Sequence, residues 1–91
     1  MRIEFDSAKS EKNARERNLA FHRAEDFEWE TALYREDNRE HPEPRFVAVG
    51  MFANRLHVIC FTPTAEGVRI ISFRRANHRE VRSYEKEIAD R

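Results

Sequence analysis

The sequence predicts a single α+β domain, with a short strand and two helical stretches first, then a small antiparallel sheet, then a C-terminal helix. Three observations lead there. The runs Arg45–Phe52 (RFVAVGMF), Leu56–Thr62 (LHVICFT) and Val68–Phe73 (VRIISF) are dense in β-branched and aromatic residues, and links of hairpin length join them. Such runs read as consecutive antiparallel strands. Residues 21–29 and 81–88 instead space their apolar side chains three and four apart, as helices do. Finally, 91 residues with 40% hydrophobic content and seven Phe support one modest core, so residues 1–91 form one domain.

Taken in order, residues 2–5 (Arg-Ile-Glu-Phe) alternate polar and apolar like a half-buried strand. Asp6-Ser7 offers a helix N-cap, and residues 7–18 form a helix that is polar all round, which places it at the surface. Asn18 ends it, being one of the few residues that tolerate a left-handed cap. Residues 21–29 are a second short helix with Phe21, Ala24 and Phe27 inward; Trp29 sits at its end, either packed on the core or forming part of a partner groove. Residues 31–35 are a strand. Glu36 to Pro44 is a charged loop, because Pro42 and Pro44 exclude regular hydrogen bonding. The three long strands are apolar on both alternating faces, so the sheet centre is covered on more than one side. In the last helix Asn77 is the N-cap, Glu80 completes a capping box, and Val81, Tyr84 and Ile88 share one face.

The net charge is zero, yet residues 1–44 carry −4 and residues 45–91 carry +4. The fifteen residues 68–82 hold five arginines (69, 74, 75, 79 and 82) against one carboxylate, Glu80. A local positive site on a neutral chain points to a phosphate-bearing partner. Cys60 is the one cysteine and lies within an apolar run, so it reads as a small buried hydrophobe and the expected setting is the reducing cytoplasm. Neither a signal peptide nor an apolar run of transmembrane length is present, and no membrane association is expected. The four His (22, 41, 57, 78) have no paired spacing and there is no C-x-x-C, so no metal site is expected. No glycine-rich phosphate loop and no nucleophile elbow occur, and no cofactor is expected.

What remains is arginine-based phosphate chemistry. A guanidinium offers a planar fork of donors matched to phosphate oxygens and stays charged at every relevant pH. Arg69, Arg74 and Arg75 lie on or just after a strand, and Arg79 and Arg82 on the helix. On an RNA substrate the neighbouring 2′-hydroxyl serves as nucleophile without a metal. The protein then supplies a base, an acid and fixed positive charge. Proton transfer falls to His78, His57, Glu80, Tyr84 or Lys9. Lys9, Lys12 and Arg45 are further candidates for RNA contact. A second reading keeps the same basic face as a non-catalytic protein- or nucleic-acid-binding module.

The segment Val68-Arg69-Ile70-Ile71-Ser72-Phe73-Arg74-Arg75-Ala76, followed by Arg79-Glu80 and Tyr84-Glu85, resembles the C-terminal signature of BrnT-type toxins. Phe5-Asp6-x-Ala8-Lys9 with Asn13 and Phe21 resembles that family's opening, and Arg45-Phe46-Val47-Ala48-Val49-Gly50 its middle strand. The resemblance implies a RelE-like fold and a ribonuclease toxin of a type II toxin–antitoxin pair. It implies a BrnA-like antitoxin in a toxin–antitoxin hetero-oligomer, which reaches operator DNA only through the antitoxin. It also implies metal-independent action on RNA by residues of the sheet and C-terminal helix, which here are Arg69, Arg74, Arg75, His78, Glu80 and Tyr84, with Arg79 and Arg82 beside them. The chain departs from the family where Lys-His-Gly is common: Glu16-Arg17-Asn18 stand there, reversing one charge and replacing a titratable His. Phe73 replaces a small residue before the arginine pair.

Overall fold

A computed structural model describes all 91 residues. It shows an α+β domain of eight elements: β1 (Arg2–Phe5), α1 (Ser7–Arg17), a 3-10 helix (Phe21–Asp26), β2 (Leu33–Glu36), β3 (Phe46–Phe52), β4 (Arg55–Pro63), β5 (Gly67–Arg75) and α2 (His78–Ala89). The strands form one five-stranded sheet in the order β1-β5-β4-β3-β2. The four strands β2 to β5 are antiparallel neighbours, as the hairpin-length links predict. The sheet is nevertheless mixed rather than purely antiparallel, because β1 runs parallel to β5. Arg2–Phe5 is reached through α1 and most of the chain, so no hairpin constrains its direction.

β3 and β4 are joined by Ala53-Asn54, both with positive φ (49° and 64°). This is the backbone of the primed two-residue turns that match strand twist. Arg55 therefore belongs to β4 and not to the link. Between β4 and β5, Cys60 pairs with Ser72 but Phe61 pairs with Ile70, which leaves Ile71 as the extra residue of a β-bulge.

α1 and the 3-10 helix cover one face of the sheet. Their anchors Leu19, Phe21, Ala24 and Phe27 pack into a buried cluster with Ala48, Phe52, Ile59, Phe61, Val68, Ile70 and Phe73. Gly50 lets them come close: a Cβ there would lie 2.9 Å from both Ala32 Cβ and Phe27 Cζ. α1 has no apolar stripe, so polar contacts hold it. The Asp6 carboxylate accepts from Lys9 N–H, and Asn18 ends the helix at φ 58°. Buried Ser10 Oγ accepts from Phe21 N–H at 2.8 Å. The Asn13 side-chain amide donates to Leu19 O (2.7 Å) and Phe73 O (2.8 Å), which ties helix to sheet.

Residues 21–29 are not one α-helix. The 3-10 helix stops at Asp26, and Trp29 lies in the loop beyond it. Trp29 still packs on the core, edge-on to Phe27 and Phe61, with its indole N–H donating to Ala24 O. The strand expected at 31–35 runs from Leu33 to Glu36. α2 starts with the predicted capping box, Asn77 Oδ1 accepting from Glu80 N–H and Glu80 Oε1 accepting from Asn77 N–H. It docks lightly, with no buried residue: Val81 and Tyr84 are half-buried and Ile88 is 41% exposed.

Candidate functional site

The bulge at Ile71 decides which arginines meet. Strict alternation along β5 puts residues 69 and 75 on one face and 74 on the other. The extra residue inverts this relation. Val68, Ile70 and Phe73 all point into the core, while Arg69, Ser72 and Arg74 share the opposite face. Arg75 returns to the helix-covered face, directly across from His57.

Register then lays out the open face in rows. Arg45 lies opposite Thr62, one position beyond the Phe46–Phe61 pair, and Thr62 lies opposite Arg69. The next row is Arg35, Val47, Cys60 and Ser72, and the one after it Leu33, Val49, Val58 and Arg74. Guanidiniums therefore stand at the margins around a floor of small neutral side chains. A shallow concavity of about 690 Å³ occupies this floor, lined by Arg35, Asp37, Arg39, Val47, Cys60, Ser72 and Arg74 among others. Two polar atoms here are buried without a partner, Arg45 Nε and Thr62 Oγ1. Both can donate.

The ionic contacts differ in strength of commitment. Arg74 and Glu80 form a two-pronged pair, Nη1–Oε1 at 2.8 Å and Nη2–Oε2 at 2.9 Å. The Arg74 guanidinium, together with Asn77 N–H, holds the Glu80 carboxyl below the usual range against the opposing effect of burial, and Glu80 raises Arg74 in turn. Arg69 reaches Glu43 at 3.5 Å with both side chains nearly half exposed, a weak contact. In the loop, Asp37 accepts from Arg39 Nε and Nη2 and contacts His41 Nε2, and the Arg39 contact above all depresses its carboxyl strongly. Arg35 has no carboxylate partner, whereas Arg39 is committed to Asp37. Burial pushes the Cys60 thiol up, so it stays protonated and is a poor nucleophile.

The residues expected from the sequence are thus partly gathered. Arg69, Arg74 and Arg45 stand on the open face. Arg79, Glu80 and Tyr84 line an adjoining hollow with Leu33, Arg35 and Val49. Arg75 does not join Arg74, because consecutive strand residues point to opposite faces. His78 and Arg82 are exposed on α2, and Lys9 and Lys12 are exposed on α1, on the far side of the sheet. Arg35 and Arg39 were not among the expected site residues. Only the β2–β3 register places Arg35 beside Val47, and no local motif announces it.

Residues 5–80 match the protein family described as ribonuclease toxin, BrnT, of type II toxin–antitoxin system. Comparison with curated proteins and with solved structures gives no match. No helix is long and apolar enough to cross a membrane. With a single family spanning most of the chain and both the N-terminal and the arginine-rich segments, the protein belongs to the BrnT family of ribonuclease toxins of type II toxin–antitoxin systems.

Proposed function

We propose that this toxin is an endoribonuclease that holds RNA on the open face of the sheet and cleaves it without a metal. The observation that carries the proposal is the bulge-driven alignment of Arg69 with Arg74, completed by Arg45 and Arg35 around a small neutral floor. Arg69, Arg45 and Arg35 bind phosphate oxygens. Fixed cations in such a place stabilise the charge that develops as the 2′-oxygen attacks phosphorus. Arg79 and Arg82 extend the positive field along α2. Tyr84 and His78 are the groups for proton transfer. Glu80 holds Arg74 in place and takes a proton only when that fork opens. The overall architecture is of the RelE-like type, the setting is the cytoplasm, and a BrnA-like antitoxin covers the open face in a hetero-oligomer that meets operator DNA through the antitoxin.

One observation favours the second reading, a non-catalytic binding module: both Glu80 oxygens are already occupied, so that carboxylate is not free to act as a base. Incubating the purified protein with RNA in EDTA separates the two. Cleavage to fragments ending in 2′,3′-cyclic phosphate is the expected result, and binding with no cleavage overturns the enzymatic reading.

A further inference from the structure

The helix-covered face ends in a second basic cluster that the open face does not use. At its centre is His57, only 4% exposed, with its ring edge-on to Phe52 and Phe73 at centroid distances of 5.1 and 5.7 Å. Its Nδ1 lies 2.9 Å from the Arg55 carbonyl. A carbonyl only accepts, so the hydrogen sits on Nδ1 and the lone pair on Nε2. Burial first, and then the nearby Arg23 and Arg55, lower the imidazole's pKa, so the ring is neutral near pH 7.

Two guanidiniums, those of Arg23 and Arg55, lie close enough to act on its charge, and a third arginine, Arg75, is its neighbour across the strands. Arg23 lies over the Phe52 ring at 5.0 Å and donates to Asn18 O at 2.9 Å, so it is held in place. Arg55 is two residues from His57 on the same strand and the same face. Arg75 is its cross-strand partner in register. None of the three has a carboxylate within ion-pair distance; the five salt bridges of the chain involve Arg2, Arg39, His41, Arg69 and Arg74. Three cations without a carboxylate partner therefore stand at this end of the helix-covered face, beside one buried neutral acceptor.

We infer that the cluster of Arg23, Arg55, Arg75 and His57 is a second RNA-contacting site, on the opposite side of the sheet from Arg69 and Arg74. It takes the phosphates of a single strand that passes over the end of β5. The inference rests on RNA being the ligand of the open face. Arg74 and Arg75 are consecutive, so one strand crossing that end meets a cation on each side. His57 Nε2 adds what a phosphate cannot use, an acceptor for a base amino group or sugar hydroxyl. That favours a nucleotide chain over an acidic protein segment.

The test uses a fluorescein-labelled, 2′-O-methylated RNA 12-mer, which 2′-hydroxyl chemistry cannot cleave. Its binding is followed by anisotropy across a salt series. Arg55 and Arg75 are exposed, so the double variant Arg55→Gln, Arg75→Gln keeps the fold, which circular dichroism verifies. The expected result is roughly tenfold weaker binding, with a slope of log K against log salt shallower by about 1.4, the contribution of two phosphates on a single strand. Unchanged affinity and slope in that variant, alongside weakened binding by Arg69→Gln, overturn this inference while leaving the open-face reading intact. A wild-type protein that binds no RNA overturns both. Wild-type preference for polyglutamate over the oligonucleotide, abolished in the double variant, overturns the assignment to RNA.

Discussion

Replacing Glu80 with Gln isolates a single ion pair. Gln keeps an amide oxygen for Asn77 N–H, so the capping box survives, but the charge that Arg74 grips is gone. Hydrogen bonds to charged groups contribute about 1.5–3 kcal/mol. The Arg74 and Glu80 side chains are 33% and 22% exposed, so solvent screening lowers this to about 1–2 kcal/mol. A domain of this size loses about 4–8 °C in Tm per kcal/mol, which predicts a drop of about 4–16 °C at pH 7.

The pH dependence gives the argument its sign. The folded-state pKa of Glu80 lies below its ordinary value of 4.5. The unfolded chain therefore binds the proton more readily, and stability rises with pH through this window. The ion pair's contribution is fully present above about pH 4.5 and disappears as pH falls through the lowered folded pKa. Thermal unfolding followed by circular dichroism, wild type against Glu80→Gln, should show a gap at pH 7 that closes in acid. A gap that persists unchanged below the folded pKa, or no gap at pH 7, would refute the reasoning.

Arg69→Ala loses only an exposed contact with Glu43, so its Tm should stay within the effect of about 0.5 kcal/mol while RNA cleavage falls roughly 100-fold, measured on gels under EDTA. Asn13→Ala strips the donors from two carbonyls that join α1 to β5 and should cost about 2 kcal/mol in urea unfolding. Gly67→Ala drives a Cβ into the Arg2 backbone carbonyl, so β1 must leave its partner; a loss of about 2–3 kcal/mol and faster amide exchange along β1 are expected. His57 has its pKa lowered below 6.5, so it contributes stability that is full above that pH and falls away as the solution is acidified through the folded pKa. His57→Gln should flatten the Tm profile on the acid side of about pH 6.5.

Most of the elements were legible because local chemistry determines them. Asn18 adopts the left-handed cap its side chain tolerates, and Asn77 with Glu80 forms the expected capping box. The strand runs at 46–52, 55–63 and 67–75 follow from β-branched and aromatic density. Properties that depend on pairing were not legible. A four-residue strand such as β1 carries no signal for the direction in which it pairs. The 3-10 geometry of residues 21–26 reflects how Phe21, Ala24 and Phe27 reach the sheet, and the three-residue spacing of those positions suits a 3-10 helix as well as an α-helix. For the site, arginine density was visible, but its division between faces depends on a bulge, and nothing in Val68–Arg75 singles out Ile71 as the unpaired residue.

That bulge and the capping box together give each arginine of the run a separate task. Arg74 is drawn to Glu80 and fixes the start of α2 against the end of β5. Arg75, one residue later, faces His57 with no carboxylate partner. Arg69 is turned by the extra residue to stand on Arg74's side, in a row with Thr62 and Arg45. Removing Arg74 therefore subtracts an anchor of α2 as well as a cation, and loss of toxicity in Arg74→Ala has two sufficient causes. Arg74→Lys keeps the charge but not the fork, so it loses the helix anchor and retains the electrostatic attraction to phosphate. Arg69→Ala removes a cation with almost no structural cost, so the phosphate-binding role of the open face stands or falls on that residue.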